Sequence, residues 1–390
     1  MIEGWRGIHH SYALVAQWHC LCILEHDDVE LRFVDLPLVS KVWKATPGIF
    51  APEQEEALAK LHAPEPSFVP EATFSMRPQR LDFRAPPSGR KFLFGTAENR
   101  VLTEFNRGRW RSGAEVPDTV SVVTPSRWAA LAFKRFGLPQ ERIHVVPHGV
   151  DPTVLCPDEA SRRTMRSRFG LNNHFVYMAV GAMTWNKGID LLVAAFARVI
   201  ETEPNVRLVL KGADGLYPSR EFVRRILTDL PAREREAVCA RLVYEGSTLS
   251  QQGIAHLLRA ADCYVSPYRA EGFNMPVLEA AACGVPLICT TGSPTDEFTD
   301  PAFARQIRST FIQTELSDTE SGDALEPDLD HLVELMREAS HDRAGTIAAG
   351  ARAAAYAAER FSWPAVTDVL LAQLFPGASA VAEHRRTASQ

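Results

Sequence analysis

Apolar residues are distributed along this chain in two alternating patterns. Short, nearly continuous apolar runs bounded by Gly, Pro or Asp read as buried strands, and stretches with apolar groups every three or four positions read as helices. In the first half, residues 11–25, "SYALVAQWHCLCILE", predict a helix behind a Ser11 cap, and "VELRFVDLP" predicts a strand. Residues 40–80 are rich in Pro and polar groups and predict no element. "RKFLFGTAE" is a strand running into a polar turn, and "DTVSVVTPS" is another strand. "SRWAALAFKRFG" is a helix capped by Ser126 and stopped at Gly137, and "ERIHVVPHGVD" is a strand followed by a Pro/Gly loop.

The second half alternates more cleanly. "HFVYMAVGA", "VRLVLKG", "RLVYEG", "DCYVSP" and "VPLICTT" are strands. "DLLVAAFARVI", the charged segment 218–240, "SQQGIAHLLRAA" and "PVLEAAACG" are helices between them, and helices follow at 328–339, 342–360 and 363–374. Strands this apolar, alternating with helices, imply parallel sheets covered on both faces. The expected fold class is therefore α/β. It has two Rossmann-like, doubly wound parallel-sheet domains facing a central cleft, with a linker near 150–170. The expected boundaries are 1–155 and 156–360, with a disordered tail at 376–390. In open α/β sheets ligands bind beyond the carboxyl ends of strands, so the loops that follow strands are the informative ones.

Composition narrows the picture. Length suits two cores, and a net charge of -6 is the wrong sign for a general nucleic-acid binder. No apolar stretch approaches a membrane span and no secretory signal is evident. The seven cysteines lack zinc spacing and read as buried thiols of a reducing cytoplasm.

Two loops carry chemistry. In "VGAMTWNKGID" a strand ends near Val180 and Gly181, and Lys187 precedes a helix start, where an ammonium and amide donors make an anion site. In "AEGFNMPVLEAAACG", Pro276 suits a first helical turn and Gly284 a helix end. Glu271 then lies before the helix and Glu279 about one turn inside it. The amides of Phe273, Asn274 and Met275 stand at the helix mouth. Carboxylates accept from vicinal hydroxyls and helix-start amides receive phosphate, so a nucleotide sugar matches both kinds of group.

These stretches, with "PSRWAALAFKRFGLPQERIHVVPHGVDPTVLCP", "LVLKG" and "RFSWPAV", resemble the retaining, nucleotide-sugar-dependent glycosyltransferases of the GT-B fold. This is family 4, the glycosyl transferases group 1. The resemblance spans about 120–370, and E-x7-E from Glu271 to Glu279 is its most specific motif. It implies that Glu279 binds the donor ribose and that Glu271 contacts sugar hydroxyls. Gly272, Phe273, Asn274 and Met275 would meet sugar and diphosphate, and Lys187 would neutralise the diphosphate. Glu245, Gly246 and Leu249 in "YEGSTLS" would cradle the base. Gly7, in "GWRGIHHSYALV", would belong to a first loop near the donor phosphate, and Gly181 would line the donor site. The strand expected before that first loop is very short, or its start is misassigned. Glu98 in "FGTAEN", with His10 as competitor, would orient or deprotonate the acceptor. The helix 361–375 would cross back onto the N-terminal domain, and His148 would shape the hinge. One departure is Ala182, where the family often has an arginine; that charge is missing or supplied elsewhere, with Arg127 a candidate.

The implied reaction moves a sugar from a UDP- or GDP-linked donor to an acceptor hydroxyl with retention of configuration, in glycan or glycoconjugate biosynthesis. No protein nucleophile is assigned, and the departing phosphate helps take the acceptor proton. No metal and no cofactor beyond the nucleotide sugar are expected. The acceptor, whether glycan, lipid-linked or small-molecule, stays open, and no nucleic acid is expected. A cytoplasmic enzyme is expected, with peripheral contact at the inner face of the membrane through "FNRGRWRSG" left open. The alternatives are another GT-B enzyme (an epimerase or phosphorylase) and a catalytically silent nucleotide-sugar-binding partner.

Overall fold

The computed structural model describes residues 1–41, 43–77 and 80–377. Among these residues the chain divides into two compact units. One is Met1–Gly149 together with the chain from Phe361 onward, and the other is Val150–Arg360. Most of the tail expected to be disordered, from 378 onward, lies outside the described residues.

The first unit holds β1 (Ile2–Gly4), β2 (Phe33–Asp35), β3 (Ala72–Ser75), β4 (Arg90–Phe94), β5 (Val120–Thr124) and β6 (Ile143–Val145). They form one sheet in the order β2-β1-β3-β4-β5-β6, with every pairing parallel. Phe92, Leu93, Phe94, Val120, Val122 and Val123 are almost fully buried, as a sheet covered on both faces requires. The short first strand is real: Ile2 pairs with both Phe33 and Phe74. Helix Ser11–Ile23 is capped by His10 rather than by the expected Ser11, because the Tyr12 amide donates to His10 Nδ1 at 3.2 Å. Segment 40–80 contains a helix, Pro52–Ala59, as well as β3. That helix is rich in Glu and buries only Leu58, so its apolar periodicity is too thin to read. The C-terminal helix Trp363–Leu374 belongs to the same unit. Trp363 stacks on Trp18 at 5.9 Å, and the hydroxyl of Thr367 shares a 2.9 Å hydrogen bond with His19 Nδ1.

The second unit holds β7 (Phe175–Val180), β8 (Val206–Lys211), β9 (Leu242–Glu245), β10 (Cys263–Ser266), β11 (Leu287–Thr290) and β12 (Ala304–Ile307). Their order is β12-β11-β10-β7-β8-β9, again all parallel. The chain builds outward from β7 in one direction and restarts at β10 in the other. The gap between the carboxyl ends of β7 and β10 is thus the topological switch point, where such sheets hold ligands. Tyr177, Leu192, Phe196, Leu208, Leu210, Val265 and Met336 form the core beneath one face. An antiparallel hairpin, β13 (Ser309–Ser317) and β14 (Glu320–Pro327), follows the sheet. Neither it nor β12 is announced by the sequence, since β12 reads "ARQI" and β13 exposes most of its side chains, Phe311 included.

Candidate functional site

The switch point of the second unit is built from the loops after β7 and β10, which are stitched together. The amides of Arg269 and Ala270 both donate to the Asn186 carbonyl, at 2.7 and 3.3 Å, and Asn186 Nδ2 donates to the Ala270 carbonyl. Gly188 ends the β7 loop at φ +67 and caps helix Ile189–Val199. A Cβ there would lie 1.8 Å from the Pro267 carbonyl oxygen, so the two loops approach this closely only because residue 188 is glycine.

This stitching brings Lys187 onto Glu271. The ammonium and carboxylate form an ion pair, with Glu271 almost fully buried. Asn274 then turns into the left-handed region, φ +76, and donates from Nδ2 to Ser266 Oγ at 3.0 Å. That bond anchors the helix Met275–Ala282, whose first turn contains Pro276. Met275 opens the helix, so its amide has no acceptor one turn earlier. Phe273 stacks on Phe298 at 4.5 Å and holds the loop from behind. Glu279 sits one turn into the helix. Burial pushes its carboxyl up to about 7, and among the described residues no donor meets it. A buried carboxylate without a partner is costly in the empty protein and suited to a hydroxylated ligand.

The neighbouring strand ends continue the site. Gly181, at the end of β7, has φ +142 and open space where a Cβ would be. Glu245, at the end of β9, accepts from the Ser247 amide at 2.7 Å, and hydrogen bonding from the Ser247 hydroxyl and then this amide holds its carboxyl below the usual range. A Cβ on Gly246 would strike the Asp214 carboxylate, and Leu249 is half-buried just before the Ser250 cap of helix Gln251–Arg259. All the donor-side residues singled out from the sequence, except Gly7, therefore lie at the carboxyl ends of β7, β9 and β10 in one unit.

The sequence reading missed Arg269. Its guanidinium is buried, forks onto Asp190 at 2.8 and 2.9 Å and onto Glu326 at 2.8 and 3.1 Å, and lies 4.8 Å from the Trp185 ring centre. Its carbonyl also accepts from the Leu325 amide of β14. One side chain thus ties the hairpin to the Lys187 loop, two residues before Glu271. Only its place beside the motif hinted at this, because Asp190 and Glu326 are distant in sequence.

In the first unit, Gly7 takes φ +69, and its amide donates to Gln17 Oε1 at 3.1 Å. His10 packs against Trp5 and Trp43, and burial pushes its imidazole down to about 4. It is therefore neutral, and because Nδ1 accepts from the Tyr12 amide, its proton sits on Nε2. Glu98 follows β4 between Ala97 and Arg100, which both take positive φ, and its carbonyl accepts from Trp128 Nε1 at 2.8 Å. His148 is buried and neutral. Arg127 is exposed at the start of its helix. The thiol expectation needs correcting in part: Cys20, Cys263, Cys283 and Cys289 are buried, but Cys239 is exposed, because it ends a helix that buries only Val238.

Residues 174–303 match the family described as glycosyl transferases group 1. The chain is 33% identical over 174 residues to mannosylfructose-phosphate synthase of Agrobacterium fabrum, covering 44% of this chain and 37% of that protein. It is 30% identical over 237 residues to D-inositol 3-phosphate glycosyltransferase of Segniliparus rotundus, covering 60% of this chain and 46% of that one. The chain thus spans less than half the length of these two curated relatives. In structure it is similar to Anabaena HepE in complex with UDP-glucose, with TM-score 0.66 at 14% identity over 97% of this chain and 98% of that one. The fold is GT-B, two Rossmann-like domains with parallel sheets. Among the described residues no helix is long and apolar enough to cross a membrane.

Proposed function

We propose that the protein is a retaining, metal-independent glycosyltransferase of family 4, moving a sugar from a UDP- or GDP-linked donor to an acceptor hydroxyl in cytoplasmic glycan or glycoconjugate synthesis. The observation that carries the reading is the switch-point constellation: Lys187 against Glu271, and Glu279 buried without a donor one turn into the adjoining helix. Its chemistry suits a ligand with two diols separated by a diphosphate. HepE, similar in fold, is described with UDP-glucose, which agrees with a nucleotide-sugar donor.

In this reading Glu279 accepts from the ribose hydroxyls and Glu271 from the transferred sugar. The diphosphate takes Lys187 from Glu271. As the glycosidic bond breaks, charge builds on the departing diphosphate, and Lys187 with the amides near Met275 stabilises it in place. Losing one such preorganised donor typically raises the barrier by about 3–4 kcal/mol. The ammonium takes the role a metal would otherwise fill. The leaving phosphate receives the acceptor proton on the face it departs from, which retains configuration. His10 carries its proton on Nε2 and suits hydrogen-bond donation, which leaves Glu98 to orient the acceptor hydroxyl while the phosphate takes its proton.

The test is a thermal-shift screen of nucleoside diphosphates and their sugars on the parent and on Glu279→Ala, followed by NMR of the product's anomeric configuration. A donor that stabilises the parent but not the variant, and yields a retained glycoside, is expected. A parent indifferent to every activated sugar would refute the reading. Binding without turnover would favour a silent nucleotide-sugar-binding partner. Turnover without an acceptor would favour an epimerase.

A further inference from the structure

The mechanism above leaves the buried cation Lys211 unused. Lys211 is the last residue of β8 and is only 5% exposed. Its ammonium donates to the Gly212 carbonyl, and among the described residues it has no ion-pair partner. Burial lowers its affinity for the proton, with the charges of Glu245 and Asp214 opposing that effect. A buried ammonium with a single carbonyl acceptor has two donors to spare. Such a group is costly to keep unless something arrives to receive them.

Its position says what arrives. Along the carboxyl edge of the sheet the order is β10, β7, β8, β9, which presents Glu271 after β10, Gly181 after β7, Lys211 on β8 and Glu245 on β9. Lys211 and Glu245 are register partners, and alternation puts both on the sheet face opposite Leu210 and Tyr244, which pack into the core. Strands lie about 4.8 Å apart, so the edge from β10 to β9 runs about 14 Å, comparable to an extended nucleoside diphosphate sugar. The sugar and diphosphate occupy the β10–β7 end, where Glu271 and Lys187 stand. The opposite end, at β8 and β9, falls to the base.

We infer that Lys211 and Glu245 read the base edge of the donor nucleotide and select a keto base. The inference rests on the nucleotide-sugar reading. Guanine and uracil each place a carbonyl oxygen beside a ring N–H. The Lys211 ammonium donates to the carbonyl, and the Glu245 carboxylate accepts from the N–H. Glu245 stays ionised, held so by the hydroxyl and amide of Ser247, and an ionised carboxylate only accepts. Adenine and cytosine present an amino group beside an unprotonated ring nitrogen, so they set donor against ammonium and acceptor against carboxylate. The pair thus works by rejection as much as by attraction. Segments 212–216 and 244–248, which flank the two side chains, are tied to each other: the Asp214 amide donates to the Gly246 carbonyl at 3.1 Å, and the Tyr244 hydroxyl donates to the Asp214 carboxylate.

Lys211 could instead bind phosphate oxygens of the same nucleotide, and a binding series separates the two roles. Affinities of GDP, UDP, ADP, CDP and inorganic pyrophosphate are measured by calorimetry for the full chain, Lys211→Met and Glu245→Gln. The parent is expected to prefer GDP or UDP to ADP and CDP by about 10- to 100-fold, the range for one hydrogen bond to a charged group. Lys211→Met should lose that preference by weakening GDP and UDP and by relieving the rejection of ADP and CDP, with pyrophosphate unchanged. Circular dichroism and the melting temperature confirm that each variant is folded, and Glu245→Gln, altered at a half-exposed position, supplies an independent second reading. Equal weakening of all four nucleotides and pyrophosphate in Lys211→Met would overturn the base role in favour of phosphate. A parent that binds ADP or CDP as tightly as GDP or UDP would overturn it outright. Failure of every nucleotide to bind would instead refute the parent reading of the site.

Discussion

Glu279→Gln isolates the buried carboxylate on which the proposed donor site turns. The parent side chain ionises near 7 in the folded protein against an ordinary 4.5. Its folded value lies above its unfolded one, so its stabilising contribution is full below about pH 4.5 and is lost as pH rises through 7. Each tenfold change in proton affinity is worth about 1.4 kcal/mol, so ionisation costs the empty protein about 3 kcal/mol, of which about 2.5 appears between pH 5 and pH 8. Glutamine keeps the shape and cannot ionise. The stability of the variant relative to the parent should therefore improve with pH by about that amount, measured as the difference between two urea-unfolding series, which cancels every other titrating group. A ligand diol donates to the carboxylate and favours its ionised form. Nucleoside diphosphate binding near pH 7 should consequently release up to about half a proton from this group, read by calorimetry in buffers of different ionisation enthalpy. The variant should lose that release. A stability difference independent of pH, or identical proton release in parent and variant, would refute the assignment.

Other outcomes follow from particular contacts. Glu271→Gln removes the ion-pair partner of Lys187, so it should tighten nucleoside diphosphate binding while slowing sugar transfer; weaker diphosphate binding would contradict the exchange of partners. Lys187→Ala should lower kcat by about 100- to 1000-fold, measured in steady state with the donor saturating. Arg269→Ala strands Asp190 and Glu326 and should destabilise the protein by about 3–5 kcal/mol in urea unfolding, with Arg269→Lys recovering only part of this, because an ammonium cannot fork onto two carboxylates. His19 and His148 are buried and ionise near 3, below their ordinary 6.5. Stability that depends on them is present above pH 6.5 and lost as pH falls toward 3, by about 2 kcal/mol each at pH 5, so His19→Gln should flatten the acid limb of the melting-temperature profile.

What the sequence made legible follows from how each feature is encoded. The strands of the second unit were readable because β7, β8, β10 and β11 are buried on both faces, and burial on both faces leaves continuous apolar runs. The hairpin β13–β14 was not, because β13 exposes most of its side chains and β14, though largely buried, reads "ESGDALEP" and carries no such run. Residues grouped at the site divide in the same way. Glu271 and Glu279 announce themselves because one loop and one helix start bring them together, so their spacing is local. Arg269 is silent because its meaning depends on Asp190 and Glu326, 79 and 57 positions away. Lys211 is silent for another reason: at the end of an apolar strand a lysine reads as the first solvated residue, and only the register with Glu245 shows that its ammonium is buried. The Lys187–Glu271 pair adds something no spacing contains. Sequence reasoning gave each residue its own ligand group, but in the empty site they satisfy one another. An empty pocket that neutralises itself avoids holding an isolated buried charge. It also makes affinity depend on the difference between the diphosphate and Glu271 as partners for one ammonium. In the proposed reading, that competition favours a ligand offering both a diphosphate for Lys187 and hydroxyls for the released carboxylate, so the resting pair would itself discriminate between a full donor and a bare anion.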